Sequence, residues 1–304
     1  MSVQLDNSNV SKVLGQTVDY PDQYDPSILV REPRQSNRKH LDLDDDNLPF
    51  CGYDVWNAYE VSCLTERGFP VTGVAKILYP CDNKYIVESK SLKLYLNSFI
   101  MTRLGNTSAE ARDIIKERVE SDLSDLLETN VVVTIFSPND INDTDTSIYF
   151  KGYTTLENIA GADDLYFAKY TETPQLLDRS HITMRDYLVR QEYHSSLLKS
   201  NCRVTNQPDW GDVYISMKGK KVVKPQHLLE YVVSFRDENH FHEEICETIY
   251  KRLWDIFSPV SLAVTCLYAR RGGIDINPTR VSNVDLLTDS LIDPEIPFCK
   301  TPRQ

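Results

Sequence analysis

Hydrophobic positions along this chain repeat at two residues in some stretches and at three to four in others. "DVWNAYEVSCL" (54–64) and "VTGVAKILYP" (71–80) are runs of apolar, β-branched and aromatic residues and predict strands. "TSAEARDIIKERVESDLSDLLE" (107–128) instead places Ala111, Ile115, Val119, Leu123 and Leu126 on one helical face. Thr107 and Glu110 have the spacing of a capping box at its start. "NVVVTIF" (130–136) predicts a further strand.

Residues 138–184 are acidic with few periodic runs, and the boundary between two modules is placed there, giving 1–165 and 166–304. The pattern then resumes. "DVYISMKG" (212–219) predicts a strand, and "KPQHLLEYVVSF" (224–235) a helix with Pro225 in its first turn. "FHEEICETIYKRLWDIF" repeats apolar positions at 241, 245, 249, 253 and 256, and "SLAVTCLYARRGGIDINP" (261–278) closes with strands. Each half thus runs strands, helices, strands. "YLNSF" (95–99) is echoed by "YVVSF" (231–235), which with the matching element order favours an internal duplication. The predicted class is α+β, each half an antiparallel sheet with a helix pair packed on one face.

Composition narrows the function. A formal net charge of −12 argues against an extended nucleic-acid footprint, which needs a basic face. No apolar run approaches bilayer-spanning length, and the polar start "MSVQLDNSNVSK" does not resemble a secretion signal. Seven widely spaced cysteines without a C-x-x-C pair then read as reduced thiols of a cytoplasmic protein. Cys63 and Cys266 lie in apolar strands and are expected in the core.

Against this acidic background four segments stand out. "ESKSLK" (88–93) gathers Glu88, Ser89, Lys90, Ser91 and Lys93, able to neutralise and hydrogen-bond phosphate, although spacing alone favours a solvated charged face. "ARRGGIDINP" (269–278) sets Arg270 and Arg271 beside two glycines, an anion grip or a plain tight turn. "NHFHEE" (239–244) puts His242 and Glu243 in a helix's first turn, with Asn239 as candidate N-cap. "KSNCRVTNQPDWGD" (199–212) surrounds Cys202 with amides and the cations Lys199 and Arg203. Those cations favour a thiolate, and Asp209 can take the proton if a turn stiffened by Pro208 and Trp210 folds it back, although the chemistry alone fits an inert surface thiol equally. There is no G-x-G-x-x-G and no P-loop, so a dinucleotide is not held in a Rossmann crevice.

Together these segments, with "NLPFCGYDVWNAYE" (47–60), resemble the 7-cyano-7-deazaguanine reductases, nitrile reductases of queuosine biosynthesis. The likeness is to the long type, with two tandem tunnelling-fold modules in one chain, and covers most of residues 17–280. The resemblance implies NADPH-dependent reduction of a nitrile through a thioimide on Cys202. It implies Asp209 as proton partner and His242 as an aid to proton transfer. Glu243 is implied as anchor of the base, with Glu88 and Ser89 enclosing it. Lys90, Ser91, Lys93, Arg270 and Arg271 are implied on the cofactor. No step calls for a metal, and no direct nucleic-acid or membrane partner is implied; assembly into a homodimer is expected. Three alternatives stay open: a zinc cyclohydrolase-like enzyme of the same fold, which needs a third Cys or His ligand, a thiol hydrolase using Cys202 and His242, which leaves the lysine–arginine clusters unexplained, and a non-catalytic purine-binding module.

Overall fold

The computed structural model describes residues 21, 23–137, 150–178, 182–297, 301, 303 and 304. The polar N-terminal stretch, much of the acidic connector and part of the tail lie outside them.

In chain order the elements are β1 (Arg31–Pro33), α1 (Gln35–Arg38), β2 (Cys51–Leu64), β3 (Pro70–Pro80), β4 (Tyr85–Val87), α2 (Ser89–Asn97), α3 (Ser108–Leu127), β5 (Val132–Phe136) and β6 (Thr154–Thr155). Then follow β7 (Ile182–Asn201), β8 (Pro208–Val223), α4 (Pro225–Val233), α5 (His242–Phe257), β9 (Ser261–Tyr268), β10 (Ile274–Val281) and α6 (Asp289–Ile292). The class is α+β. Among the described residues β1 pairs only with β4, while the other eight strands form one sheet, β5-β3-β2-β10-β9-β8-β7-β6, antiparallel except for the short β6–β7 pair.

The sheet runs unbroken across the midpoint of the chain, because β10 pairs with β2 from Ile274↔Ala58 to Val281↔Cys51. Both helix pairs lie on the same side of β10. Ile274 and Ile276 join the core beneath α2 and α3, and Arg280, of the same strand parity, hydrogen-bonds Glu247 of α5. Cys63 and Cys266 are both fully buried.

The "YLNSF"/"YVVSF" echo has a structural meaning. Ser98 and Ser234 are the C-caps of α2 and α4, and each hydroxyl donates to the carbonyl three residues back, at 2.6 Å to Tyr95 and 2.7 Å to Tyr231. The ends of β2 and β7 match too: Leu64 bridges to Arg103 as Asn201 bridges to Asn239.

β7 was not legible in the sequence. Its N-terminal part alternates poorly because 184–188 are exposed on both faces, so burial imposes no pattern there. The tail after β10 covers the sheet face opposite the helices. Lys76, buried in β3, donates to the carbonyls of Ser290, Asp293 and Ile296 at 3.4, 2.7 and 2.9 Å. No helix is long and apolar enough to cross a membrane among the described residues.

Candidate active site

Cys202 sits in the β7–β8 turn. Its N–H donates to the Gln207 carbonyl at 2.8 Å and its carbonyl accepts from Asn206 at 2.9 Å, with Asn206 in the left-handed region that asparagine tolerates. The turn is therefore 202–207; Pro208, Asp209 and Trp210 already belong to β8 rather than forming the turn. Ser200 pairs with Asp209, so Cys202, two residues beyond Ser200, continues the face that carries the Asp209 carboxylate. The two cations expected to serve the sulfur are committed elsewhere. Lys199 donates to Asn201 Oδ1 at 2.8 Å and the Arg236 carbonyl at 2.6 Å, and Arg203 pairs with Glu244 at 2.8 Å.

The same strand end fixes the start of α5. Asn201 N–H donates to the Glu238 carbonyl at 2.7 Å, and its carbonyl accepts from His240 at 3.2 Å. The N-cap is Phe241, not Asn239, with Glu244 accepting from the Phe241 N–H at 3.0 Å. His240 is held between Glu238 and Glu244; those hydrogen bonds outweigh the burial that opposes its charge and push its pKa up to about 9.

His242 opens α5 with its ring edge-on to Tyr268, centroids 4.0 Å apart, and its Nε2 3.6 Å from Asp209 Oδ2. Asp209 Oδ1 faces Arg271 Nη1 at 2.7 Å. Glu243 is buried, and its Oε1 has no hydrogen-bond partner among the described residues. Burial, with the Asp54 charge adding to it, pushes the Glu243 pKa up to about 8 against the pull of Arg34 and Arg280.

The facing wall is α2, whose N-cap is Glu88: its two oxygens accept from the backbone N–H groups of Lys90 and Ser91 at 2.9 and 2.7 Å. That uses the helix-end donors a phosphate could have taken, leaving side chains as the cationic grip. Ser89, Lys90 and Lys93 line one cleft of about 240 Å³ with Cys202, His242 and Arg271. The helical geometry of α2 puts both lysines there, and both halves of the chain line the cleft. Glu88 also lines it.

Asp209, which faces His242 and Arg271, and Glu243, next to His242 on α5, are not themselves among the lining residues, and two further predicted residues stand apart altogether. Ser91 is fully buried, its hydroxyl donating to the Glu88 carbonyl at 2.8 Å and accepting from Val30 N–H at 3.0 Å. Arg270 turns away to stack on Tyr59, 3.3 Å from the ring centroid. Conversely, the cleft includes Thr205, Gln207, Ile274 and Ile276, which lie within the singled-out segments but were given no role, and Tyr268, which lies outside them. Alternation from Cys266 through "CLYA" was the one signal for Tyr268, since it puts that ring on the helix side.

Residues 20–135 match the family model described as nitrile reductase, 7-cyano-7-deazaguanine-reductase N-term, and 208–285 match the one described as QueF-like protein. An NADPH-dependent 7-cyano-7-deazaguanine reductase of Rickettsia felis is 40% identical over 273 residues, covering 90% of this chain and 93% of that protein. The protein of that name in Legionella pneumophila is 40% identical over 88% of each chain. The chain belongs to the 7-cyano-7-deazaguanine reductase family. A crystal structure of the apo archaeosine synthase QueF-Like overlaps 33% of this chain and 98% of its own, with TM-score 0.29 and 19% identity.

This family member also carries a buried ionic cluster that no sequence motif announced. Arg34 pairs with Asp54, and Arg280 reaches Asp54 at 2.8 Å and Glu247 at 3.0 Å. Arg38 joins Glu247 from the other side at 2.8 Å. The three guanidiniums hold Glu247 down to about 2 in spite of its burial. Glu247 lies one turn along α5 from Glu243, so the cluster supports the helix start that lines the cleft.

Proposed function

We propose that this protein reduces the nitrile of 7-cyano-7-deazaguanine to 7-aminomethyl-7-deazaguanine with NADPH, a step of queuosine biosynthesis, through a covalent thioimide on Cys202. The observation that carries this reading is one cleft uniting Cys202 and His242 from one half of the chain with Ser89, Lys90 and Lys93 from the other.

A nitrile carbon is a poor hydride acceptor, and thiol addition turns it into a better one by splitting one hard step into easier ones. Asp209 takes the Cys202 proton as the S–C bond forms, and gives it to the nitrile nitrogen, which receives the displaced π pair. His242, 3.6 Å from Asp209 Oδ2, supports that transfer. Glu243, whose Oε1 is buried without a partner among the described residues, accepts adjacent N–H donors of the guanine-like base. Glu88, fixed as the α2 N-cap, and Ser89 close the base in. Enclosure matters because water hydrolyses an imine.

The residues present fit a dinucleotide phosphate: Lys90, Lys93 and Arg271 all line the cleft and would hold it. NADPH supplies hydride when bound. Ser91 acts indirectly, by anchoring α2 to Val30, and Arg270 has no direct role in this reading.

We read the two halves, 1–165 and 166–304, as tandem tunnelling-fold modules. The paired C-caps Ser98 and Ser234 and the matching bridges at Leu64 and Asn201 support this. A cytoplasmic homodimer is the assembly expected. The activity test is NADPH oxidation with 7-cyano-7-deazaguanine, followed alongside amine formation. Two NADPH consumed per amine supports the reading; oxidation without amine, or none at all, removes it.

A further inference from the structure

We propose that Arg271 is the positioning residue for Asp209 during thiol addition, in addition to being a cation available to the cofactor. The inference rests on the thioimide reading above and assigns this arginine a task in the step that needs no NADPH.

Asp209 is buried, and its two oxygens have different neighbours: Arg271 Nη1 at 2.7 Å from Oδ1, and His242 Nε2 at 3.6 Å from Oδ2. A carboxylate that takes a proton from sulfur and returns it to nitrogen must present one oxygen to both while the other is held. Arg271 holds Oδ1 and so aims Oδ2 at the side where His242 sits. Its fork geometry suits this, since one N–H can grip a carboxylate while others reach a second anion. The side chain is 38% exposed, which leaves the guanidinium open to a cofactor phosphate from the cleft.

The turn carrying Arg271 is built to keep it there. Arg271 and Ile274 exchange N–H···O=C bonds at 2.9 and 3.3 Å across Gly272 and Gly273, both at positive φ, the pattern of a two-residue hairpin turn. A Cβ on Gly272 would lie 2.8 Å from Lys93 Nζ, and one on Gly273 2.4 Å from Glu60 Cδ, so the turn packs closely against its surroundings. Behind it, the Arg303 carbonyl accepts from Arg270 N–H at 3.3 Å, and Gln304 donates to the Tyr268 carbonyl at 3.0 Å. The tail thus braces the strand end that presents Arg271.

The test is the rate of thioimide absorbance on mixing protein and 7-cyano-7-deazaguanine without cofactor, with base affinity measured separately by calorimetry. Arg271→Gln should slow adduct formation by about tenfold or more, the scale of one lost charge-assisted contact. Base affinity should stay within about twofold, because Glu243 is untouched, and Arg271→Lys should recover most of the rate. An Arg271→Gln adduct formed at the wild-type rate, with only the NADPH requirement raised, would overturn the proposal. So would equal loss in Gln and Lys variants that melt like wild type. Absence of any adduct in the wild type would instead remove the thioimide reading itself.

Discussion

Arg38 and Glu247 meet through two parallel hydrogen bonds, Nε to Oε2 at 3.0 Å and Nη2 to Oε1 at 2.8 Å, with both side chains buried. The pair joins α1, which precedes the first long strand, to α5, whose first turn carries His242 and Glu243. Packing of the two halves and geometry of the site are therefore coupled through one carboxylate.

Removing that carboxylate leaves three arginines short of an acceptor. Glu247→Gln should destabilise the fold by about 3–5 kcal/mol at neutral pH, as breaking a buried pair does. Glu247 is depressed to about 2 from its usual value near 4.5. Its stabilising contribution is complete above about 4.5 and is lost as pH falls towards 2. Urea unfolding at pH 7 and at successively lower pH should show the gap between wild type and variant closing across that window.

Glu243 predicts a pH dependence of binding. With a pKa near 8 in the free protein, its carboxyl is mostly neutral at pH 7. A base offering two N–H donors favours the ionised form, so binding releases a proton. Affinity should therefore rise with pH up to about 8 and then level off. Calorimetry in buffers of different ionisation heat should detect that proton. Glu243→Gln should flatten the profile, and Glu243→Ala should weaken base binding by about 1.5–3 kcal/mol.

Lys90 separates cofactor binding from covalent chemistry. Lys90→Ala should raise the NADPH concentration needed for half-maximal rate by about tenfold, the scale of one charged contact. The cofactor-free adduct should form as in wild type. Stopped-flow absorbance and steady-state kinetics on the same preparation check both halves of this expectation.

Much of the site was legible because its segments combine types that rarely occur together in an acidic chain: cysteine among amides, lysines among serines, arginines beside glycines. The residues of 88–93 fit a strand or a helix, and only the helix α2 puts Lys90 and Lys93 on one side; the first-turn position of His242 and Glu243 held. The sequence was silent where a residue's part depends on distant partners. Ser91 looks like a phosphate ligand, but Val30 lies sixty-one positions away and claims its hydroxyl. Arg34, Arg38, Asp54, Glu247 and Arg280 show no motif, because their cluster exists only once β2, β10 and α5 are packed. β7 escaped notice because half of it stands free of the core, and Lys199 and Arg203 misled because neighbours in sequence need not be neighbours of the sulfur.

The most direct test of the central claim is intact mass of the protein incubated with 7-cyano-7-deazaguanine alone. Wild type should gain the whole mass of the base, and Cys202→Ala, which should also lose turnover, should gain none. An unchanged wild-type mass, or turnover persisting in Cys202→Ala, would contradict it.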